Sequence, residues 1–254
     1  MSDALPVRCV VPISGGKDSQ LCLKLAVKEF GAASVRGLFC DTQFEHPTTY
    51  AHVSVIGAMY GVQIDRITAG SVPEKVRKYG RFPGGGARHC TDELKIRPTV
   101  RYLKALATQQ GGFQVWYGMR TAESPERASR YVDSISSEVI PPHEFMPGKY
   151  PKYLFKLGVV VRLPIVDFPT SSVFSALGSD PISPLYKHFD RVGCFPCLAA
   201  GDETKERAFG FDEFGASQKV IVLQLEKDTG KSVWTSSGGL MRNHPDQMCM
   251  LCQQ

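Results

Sequence analysis

The feature that most constrains this chain is a hexapeptide, SGGKDS at residues 14–19, that stands between a strand pattern and a helix pattern. The preceding residues 7–13 (VRCVVPI) are short, β-branched and nearly all apolar, which predicts a buried strand. Apolar residues then recur at helical spacing until Gly31. Backbone N–H groups converge where a helix begins after a glycine turn, and the helix dipole favours negative charge there. The pattern therefore predicts an anion-binding turn.

Most residue types in the hexapeptide suit a bound phosphate. Gly15 and Gly16 allow the backbone to come close to a ligand because they have no Cβ atom. Ser14 and Ser19 supply hydroxyl donors, and Lys17 supplies a positive charge. These five residues are therefore predicted to contact a phosphate.

The hexapeptide is not the common P-loop. That motif needs a glycine five residues before its Gly-Lys pair and a Ser or Thr after the lysine, whereas this chain has Val11 and Asp18 there. The Asp18 carboxylate is a candidate ligand for Mg²⁺ on the phosphates. Asp41, at the end of a second predicted strand, is a candidate for Mg²⁺ or for a ribose hydroxyl. An Asx-turn or a helix cap is the alternative role for Asp41.

Strand and helix patterns alternate through the first half of the chain. The alternation predicts an α/β fold with a doubly wound, mostly parallel sheet and helices on both faces. Motifs at 14–19, 41–46 and 118–130 each follow a predicted strand and should converge on one edge of the sheet. Residues 131–158 are rich in Pro, Ser and charge and are predicted to form a long loop. The other predicted elements are strands at 35–41, 62–67, 114–117 and 159–166 and helices at 48–60, 171–177 and 218–227.

Length and composition indicate a soluble globular protein. The 254 residues suffice for a nucleotide-binding domain at 1–180 and a small cysteine-bearing unit at 181–254. A hydrophobic content of 43% and a charged content of 22% are ordinary for such proteins. No apolar run is long enough to span a bilayer, and no secretion signal is evident. We therefore expect a cytoplasmic protein with no membrane partner, whose cysteines are thiols or metal ligands.

Positive charge is concentrated between Lys75 and Lys104, where nine Lys or Arg residues stand against two acids. That surplus of seven exceeds the net charge of +5 for the whole chain. Such a segment favours a polyanion, either nucleotide phosphates or a nucleic acid. Solvated helix faces also produce charge runs of this kind, so no single residue here is assigned to a ligand.

Several segments resemble, in chain order, the phosphoadenosine-phosphosulfate (PAPS) reductase-like branch of the PP-loop ATP pyrophosphatases. SGGKDS is similar to the SGGxDS signature of that superfamily, whose members split ATP between the α- and β-phosphates. The resemblance covers about residues 7–200 and implies the adenine nucleotide alpha-hydrolase-like fold, with ATP and Mg²⁺ as ligands. The further matching segments are DTQFEHP at 41–47, RHCT at 88–91, LK at 94–95, GMR at 118–120, ES at 123–124, PISPLY at 181–186 and GCFPC at 193–197.

The resemblance and the chemistry of the matched residues together give a candidate site. Arg120 and Arg127 follow a predicted strand, and planar guanidinium groups suit bidentate phosphate contact. Lys95 stands one turn into a helix that begins at Thr91, which would direct it toward an anion. The predicted catalytic residues are Lys17, Asp18, Arg120 and Cys90. The predicted nucleotide ligands are Ser14, Gly15, Gly16, Lys17, Asp18, Ser19, Asp41, Lys95, Gly118, Arg120 and Arg127.

Four of the eight cysteines form two CxxC pairs, Cys194 with Cys197 and Cys249 with Cys252. Each pair can chelate through one tight turn, and four thiolates complete a tetrahedral metal site. The spacing alone fits either a [4Fe–4S] cluster or zinc. Because sulfur-inserting members of the resembled family often carry a cluster, the expected cofactor is [4Fe–4S], with Zn²⁺ as the alternative.

The other four cysteines are not paired in this way. Cys9, Cys22 and Cys40 fall within apolar strand or helix patterns and are predicted to be buried as small hydrophobic residues. Cys90 stands among basic residues that favour a thiolate, which suits a persulfide carrier or an additional metal ligand. Packing beneath the nucleotide loop is the alternative for Cys90.

Two features distinguish the chain from the reductases of the resembled family. The reductases' phosphate loop departs from SGGxDS, and this chain lacks the ECGLH-like segment that carries their nucleophilic cysteine. The resemblance therefore implies an ATP pyrophosphatase that adenylates a nucleic-acid oxygen so that sulfur can replace it. DNA phosphorothioation and tRNA thiolation are the implied settings, with a cysteine desulfurase or another sulfur donor protein as partner. A sulfonucleotide reductase and a nucleotide sensor without turnover are the alternatives.

Overall fold

The computed structural model describes residues 5–84 and 88–235. Within these ranges, six strands form one sheet. They are Cys9–Ile13 (β1), Val35–Asp41 (β2), Gln63–Thr68 (β3), Gln114–Trp116 (β4), Val139–Ile140 (β5) and Val160–Arg162 (β6). The strand order is β3-β2-β1-β4-β6-β5, and all neighbours are parallel except β5, which runs antiparallel to β6. The chain moves outward from β1 to β3 and returns to β4 on the other side of β1, so the topological switch point lies between β1 and β4.

Helices connect the strands and cover the sheet. The helices within the described ranges are Lys17–Phe30 (α1), Pro47–Tyr60 (α2), Val72–Tyr79 (α3), His89–Thr91 (α4), Arg97–Gln110 (α5), Pro125–Arg130 (α6), Pro142–Phe145 (α7), Lys152–Lys156 (α8), Thr170–Leu177 (α9), Asp202–Phe209 (α10) and Glu213–Thr229 (α11). A wider helical turn, Asp92–Ile96, joins α4 to α5, and short 3₁₀ turns lie at Ala32–Ser34, Thr121–Glu123 and Pro184–Lys187.

Strand β1 shows why the sequence forms a sheet with two covered faces. Successive side chains of a strand point to opposite faces, so Val10 and Val11 enter different hydrophobic clusters. Val10 shares a cluster with Leu103 of α5, whereas Val11 shares one with Leu21 of α1 and Ile56 of α2. Because both faces are buried, the strand needs a continuous apolar run rather than an alternating one. The predicted doubly wound, mostly parallel α/β fold is confirmed.

The predicted long loop at 131–158 is wrong in part. This segment contains α7 and α8 and supplies the antiparallel edge strand β5. Tyr131, Phe145, Tyr150 and Leu154 are buried in the cluster on one face of the sheet. None of these three elements is longer than five residues, and prolines separate them. They therefore leave no helical or strand periodicity in the sequence.

The segment after α9 packs against the first half of the chain. Leu198, Phe209 and Val222 share a hydrophobic cluster with Phe44 and Val76. The backbone joins the two parts as well, because the Phe195 N–H donates to the Phe44 carbonyl at 2.7 Å. This packing brings the CxxC pair at 194–197 to the carboxyl edge of β2.

Candidate nucleotide-binding site

The hexapeptide forms a tight turn between β1 and α1, at the switch point of the sheet. Gly15 has a φ of +77°, and a Cβ atom at this position would lie 2.9 Å from the Thr49 methyl group, so both conformation and space require glycine. The Ser14 N–H donates to Ser19 Oγ at 3.2 Å, and Ser19 Oγ donates to the Gly16 carbonyl at 2.9 Å. In this structure the two serine hydroxyls therefore brace the turn.

Lys17, Asp18 and Arg120 form a buried charge cluster at the start of α1. Arg120 Nε donates to Asp18 Oδ1 at 2.6 Å, and Lys17 Nζ lies 3.3 Å from Asp18 Oδ2. Each of the three side chains is at most 7% exposed. Burial, followed by the charges of Asp18 and Arg120, sets the pKa of Lys17, and the net result is a pKa below the ordinary lysine value. The cluster carries two cations and one carboxylate, so it favours an added anion.

Arg120 is held at this position by further contacts. Its Nη1 donates to the Phe168 carbonyl at 3.0 Å and lies 3.3 Å from Thr170 Oγ1. The sequence predicted Arg120 as a phosphate ligand from its place after β4, and the structure brings it to the hexapeptide. The ion pair with Asp18, which lies 102 residues earlier in the chain, has no signal in the sequence.

Gly118 allows β4 to approach the phosphate turn. A Cβ atom at Gly118 would lie 2.9 Å from both the carbonyl carbon and the carbonyl oxygen of Asp18 and 3.1 Å from the Ser19 amide nitrogen. These neighbours are backbone atoms of the first turn of α1, so they cannot rotate away as a side chain can. The segment predicted at 118–120 thus meets residues 14–19 directly.

Tyr186 covers the phosphate turn, a role the sequence did not predict. The Lys17 N–H donates to the Tyr186 hydroxyl oxygen at 2.9 Å. The Lys17 ammonium lies 5.2 Å from the centre of the Tyr186 ring and 5.7 Å from that of Phe174. Burial and the charge of Asp18 raise the pKa of the Tyr186 hydroxyl, so it stays neutral. Arg191 and Val192 complete a small pocket with Tyr186 and the turn. In the sequence, Tyr186 was part of the segment PISPLY that resembles the family, and no role was predicted for its side chain.

Asp41 makes local contacts at the end of β2. Its Oδ2 accepts hydrogen bonds from Arg66 at 2.6 Å and 3.0 Å, and its Oδ1 accepts from Tyr50 at 2.7 Å. The Gln43 N–H also donates to Oδ1 at 2.8 Å, which is the Asx-turn named above as the alternative. Burial opposes the charge of Asp41, but these donors outweigh it and hold the pKa of the carboxyl below its usual range. A role toward ribose or Mg²⁺ stays a prediction.

Two further predicted ligands, Lys95 and Arg127, have other surroundings than the pocket at the turn. Lys95 lines a small pocket together with Cys90, Cys194 and Cys197. Arg127 is buried and forms an ion pair with Glu123 on the loop after β4. Neither Lys95 nor Arg127 lines the pocket at the phosphate turn.

Three cysteines come together at the carboxyl edge of β2. Cys90, Cys194 and Cys197 line the same small pocket, and Cys194 Sγ lies 3.4 Å from Thr42 Oγ1. Cys249 and Cys252 lie outside the described residues. Among residues 5–84 and 88–235, no group of three or more His, Cys, Asp or Glu side chains has an arrangement that would hold a metal ion. The four-cysteine site therefore stays a prediction, because two of its four proposed ligands lie outside the described residues.

The three other cysteines are buried as predicted. Cys9, Cys22 and Cys40 are at most 1% exposed. Burial raises the pKa of each of these thiols, so they stay protonated and unreactive at neutral pH.

Within the described ranges, none of the helices has both the length and the apolar character that a membrane crossing requires.

The fold and the turn define a class: an α/β protein with a phosphate-type turn after its first strand, at the switch point of a parallel sheet. Residues 8–200 match the family model of the phosphoadenosine phosphosulfate reductase domain, and the chain belongs to this family. It is thereby a member of the adenine nucleotide alpha-hydrolase-like superfamily.

Two curated relatives have no described function. An uncharacterized protein of Methanocaldococcus jannaschii is 28% identical over 193 residues, which cover 75% of this chain and 36% of the relative. An uncharacterized nin region protein of Escherichia phage lambda is also 28% identical, over 50% of this chain and 54% of the relative. The chain therefore spans about a third to a half of the length of these relatives.

Solved structures of three kinds are among those similar to the chain. The PAPS reductase from Candida auris is 16% identical, with a TM-score of 0.48 over 74% of this chain and 82% of that one. The FMN adenylyltransferase from Candida glabrata bound to ATP is 14% identical, with a TM-score of 0.48 over 76% and 54%. The U34-tRNA thiolase from Methanococcus maripaludis with its [4Fe-4S] cluster is 14% identical, with a TM-score of 0.48 over 99% and 82%. Likeness of this size extends no ligand or residue role to this chain.

Proposed function

We propose that this chain is an ATP pyrophosphatase of a sulfur-transfer pathway. It binds Mg²⁺-ATP at residues 14–19 and lets a nucleic-acid oxygen attack the α-phosphorus. The bond to the β-phosphate breaks and pyrophosphate leaves. The terminal sulfur of a persulfide on a donor protein such as a cysteine desulfurase then displaces AMP, and a second thiol cleaves the remaining S–S bond, which leaves the donor as a disulfide. The observation that carries this proposal is the intact SGGKDS turn at the switch point, with Lys17 and Arg120 both in contact with Asp18.

The chemistry of the residues fits a bound magnesium nucleotide. The N-terminus of α1 suits the phosphates, as do Lys17 and Arg191, which line the pocket at the turn. Arg120 does not line this pocket, but its ion pair with Asp18 adds positive charge beside it. Asp18 offers the carboxylate oxygens that Mg²⁺ prefers. Mg²⁺ would neutralise charge on the phosphates. The chain's own contribution is then positioning and charge stabilisation, with little proton transfer by side chains.

Product analysis tests this proposal. Purified protein is supplied with Mg²⁺, ATP labelled in the α-phosphate, a nucleic acid and a persulfide donor, and the expected products are AMP and pyrophosphate. Asp18→Asn should reduce turnover strongly because it removes the only carboxylate among the described residues that line the turn pocket. Formation of ADP and phosphate, or ATP binding without any turnover, would contradict the pyrophosphatase proposal; the second result would favour the nucleotide sensor.

A sulfonucleotide reductase is the second candidate, and membership of the PAPS reductase domain family favours it. It would use PAPS or adenosine phosphosulfate and a cysteine nucleophile. Release of sulfite from PAPS in the presence of thioredoxin, with no pyrophosphate from ATP, would decide for the reductase.

Tyr186→Phe is expected to tighten ATP binding. The Tyr186 hydroxyl accepts the hydrogen bond of the Lys17 N–H, so this N–H is not available to a phosphate oxygen. Removing that hydroxyl frees a donor worth about 0.5–1.5 kcal/mol, so the Kd for ATP should fall about twofold to tenfold. Isothermal titration of wild type and variant measures the change. A Kd that rises instead would mean that the hydroxyl contacts the nucleotide rather than competing with it.

Cys194→Ser is expected to remove a bound metal. The thiolate donors of Cys194 and Cys197, in a pocket lined also by Phe44 and Leu198, suit iron–sulfur or zinc, and a cluster would supply a place to hold sulfur. Anaerobically purified wild type should contain about four iron and four sulfide per chain, or about one zinc for the alternative. Cys22→Ala, which removes a thiol buried in α1, serves as the control and should retain the metal. Wild type without metal would overturn the metal site.

A further inference from the structure

A second cavity, of about 320 Å³, lies beside the phosphate turn. It is bounded by residues 185–201 and by α10, and its volume falls in the range of about 300–1,000 Å³ that is usual for small-molecule sites. Arg191 and Val192 line both this cavity and the pocket at the turn. Cys194 and Cys197 line both this cavity and the cysteine pocket. The cavity thus adjoins both places that the proposed reaction uses.

The charge on the cavity wall favours an anion. Arg88, Arg191 and Arg207 line it, and among the described lining residues Asp190 is the one acid. The Asp190 side chain is 99% exposed and lies 3.9 Å from Arg207, so it points largely to solvent. Guanidinium groups bind phosphate through paired hydrogen bonds, and the described residues that line this cavity carry three of them against one exposed carboxylate.

An apolar wall stands beside the arginines. Leu185, Phe189 and Ala208 line the cavity and belong to one hydrophobic cluster. The Arg207 guanidinium lies 5.3 Å from the centre of the Phe189 ring. Phe189 is fixed by edge-on contacts with Phe195 and Phe211 at 5.2 Å and 5.1 Å. Phe189 is 7% exposed, whereas Arg207 is half exposed and its guanidinium lies over the ring, so the pair offers a flat cationic surface on which a nucleic-acid base can stack.

We propose that this cavity binds one nucleotide of a single-stranded nucleic acid, with its phosphate on the arginines and its base against the apolar wall. The claim that this nucleotide is the acceptor of the reaction rests on the proposed function. The claim that the cavity binds a nucleotide rests only on the shape and lining of the cavity. A nucleotide placed here lies between the phosphate turn and Cys194. That order suits an oxygen that is first adenylated and then replaced by sulfur.

Binding of labelled oligonucleotides tests the assignment. Fluorescence anisotropy of a fluorescein-labelled single-stranded DNA decamer and of the matching RNA decamer is measured without ATP. Arg207→Gln should weaken binding about tenfold, as expected for loss of a charged hydrogen-bond donor to phosphate, and Arg191→Gln should do the same. Arg101→Gln removes the same charge from an exposed position in the basic segment 75–104 and should change the Kd less than twofold. The tighter of the two decamers identifies DNA or RNA as the source.

Two results would overturn the assignment. One is wild type that binds neither decamer; the other is Arg207→Gln that binds as tightly as Arg101→Gln. Arg207 is half exposed, so an unchanged melting temperature will show that its substitution leaves the fold intact. Titration of an ATP analogue into the same preparations separates the two proposals. Wild type that binds the ATP analogue but neither decamer counts against the cavity, whereas wild type that binds no ATP analogue counts against the proposed function.

Discussion

Replacement of Arg120 by methionine is expected to lower the free energy of unfolding by about 3–5 kcal/mol. Arg120 Nε lies 2.6 Å from Asp18 Oδ1, and both side chains are 2% exposed. Without Arg120 the buried carboxylate loses this short contact and keeps the longer one with Lys17 at 3.3 Å. Urea unfolding measures the loss, and the affinity for Mg²⁺-ATP should fall with it because the charge cluster beside the turn loses a cation and Asp18 loses its shortest ion-pair contact.

Two companion variants make the Arg120 result specific. Arg130→Met removes an exposed arginine from the neighbouring helix α6 and should cost less than about 1 kcal/mol. Asp18→Asn combined with Arg120→Met should cost less than the sum of the two single substitutions, since both break the same ion pair. If Arg120→Met unfolds at the same urea concentration as Arg130→Met, the buried ion pair is not a structural element of this site.

Substitution of Gly118 by alanine is expected to weaken ATP binding by at least about tenfold and to destabilise the fold by about 1–3 kcal/mol. The new Cβ would lie 2.9 Å from two backbone atoms of Asp18 and 3.1 Å from the Ser19 nitrogen. The end of β4 and the first turn of α1 must then separate, which moves Arg120 away from the phosphate turn. Calorimetric titration with an ATP analogue and thermal unfolding measure the two effects.

Gly210→Ala is the matched control for Gly118→Ala. Its Cβ would meet the Glu206 carbonyl at 3.5 Å, an ordinary contact, at the end of α10. This variant should bind the analogue as wild type does. Wild-type affinity in Gly118→Ala as well would show that the close approach of β4 and α1 is not needed for nucleotide binding.

The parts of the fold that sequence predicted are those built from long periodic segments. Strand β2 was predicted at 35–41 and is observed at Val35–Asp41, and α2 was predicted at 48–60 and is observed at Pro47–Tyr60. Burial on both faces of β2, and glycine at the end of α2, leave clear patterns. The short elements within 131–158 are stabilised by packing of Phe145 and Tyr150 against the sheet. Such tertiary contacts have no local signal.

The candidate site divides in the same way. The turn at 14–19 and Arg120 were predicted because strand ends of a parallel sheet meet at one edge. The hydrogen-bond partners of Asp41 and Lys17 were not predicted, because they come from distant parts of the chain. Arg66 is the partner of Asp41, and Tyr186 is the partner of Lys17. Polar side chains on loops have several equivalent roles in a sequence, and only the fold selects among them. The meeting of Cys90 with Cys194 and Cys197 is of this kind.

Titration of a non-hydrolysable ATP analogue with Mg²⁺ into wild type, Lys17→Met and Lys28→Met tests the central claim most directly. Lys17 lies in the turn, whereas Lys28 is exposed near the other end of the same helix. The account predicts one site in wild type, an affinity at least about tenfold weaker in Lys17→Met, and an unchanged affinity in Lys28→Met. Wild type that binds no nucleotide, or Lys17→Met that binds as tightly as Lys28→Met, would contradict it.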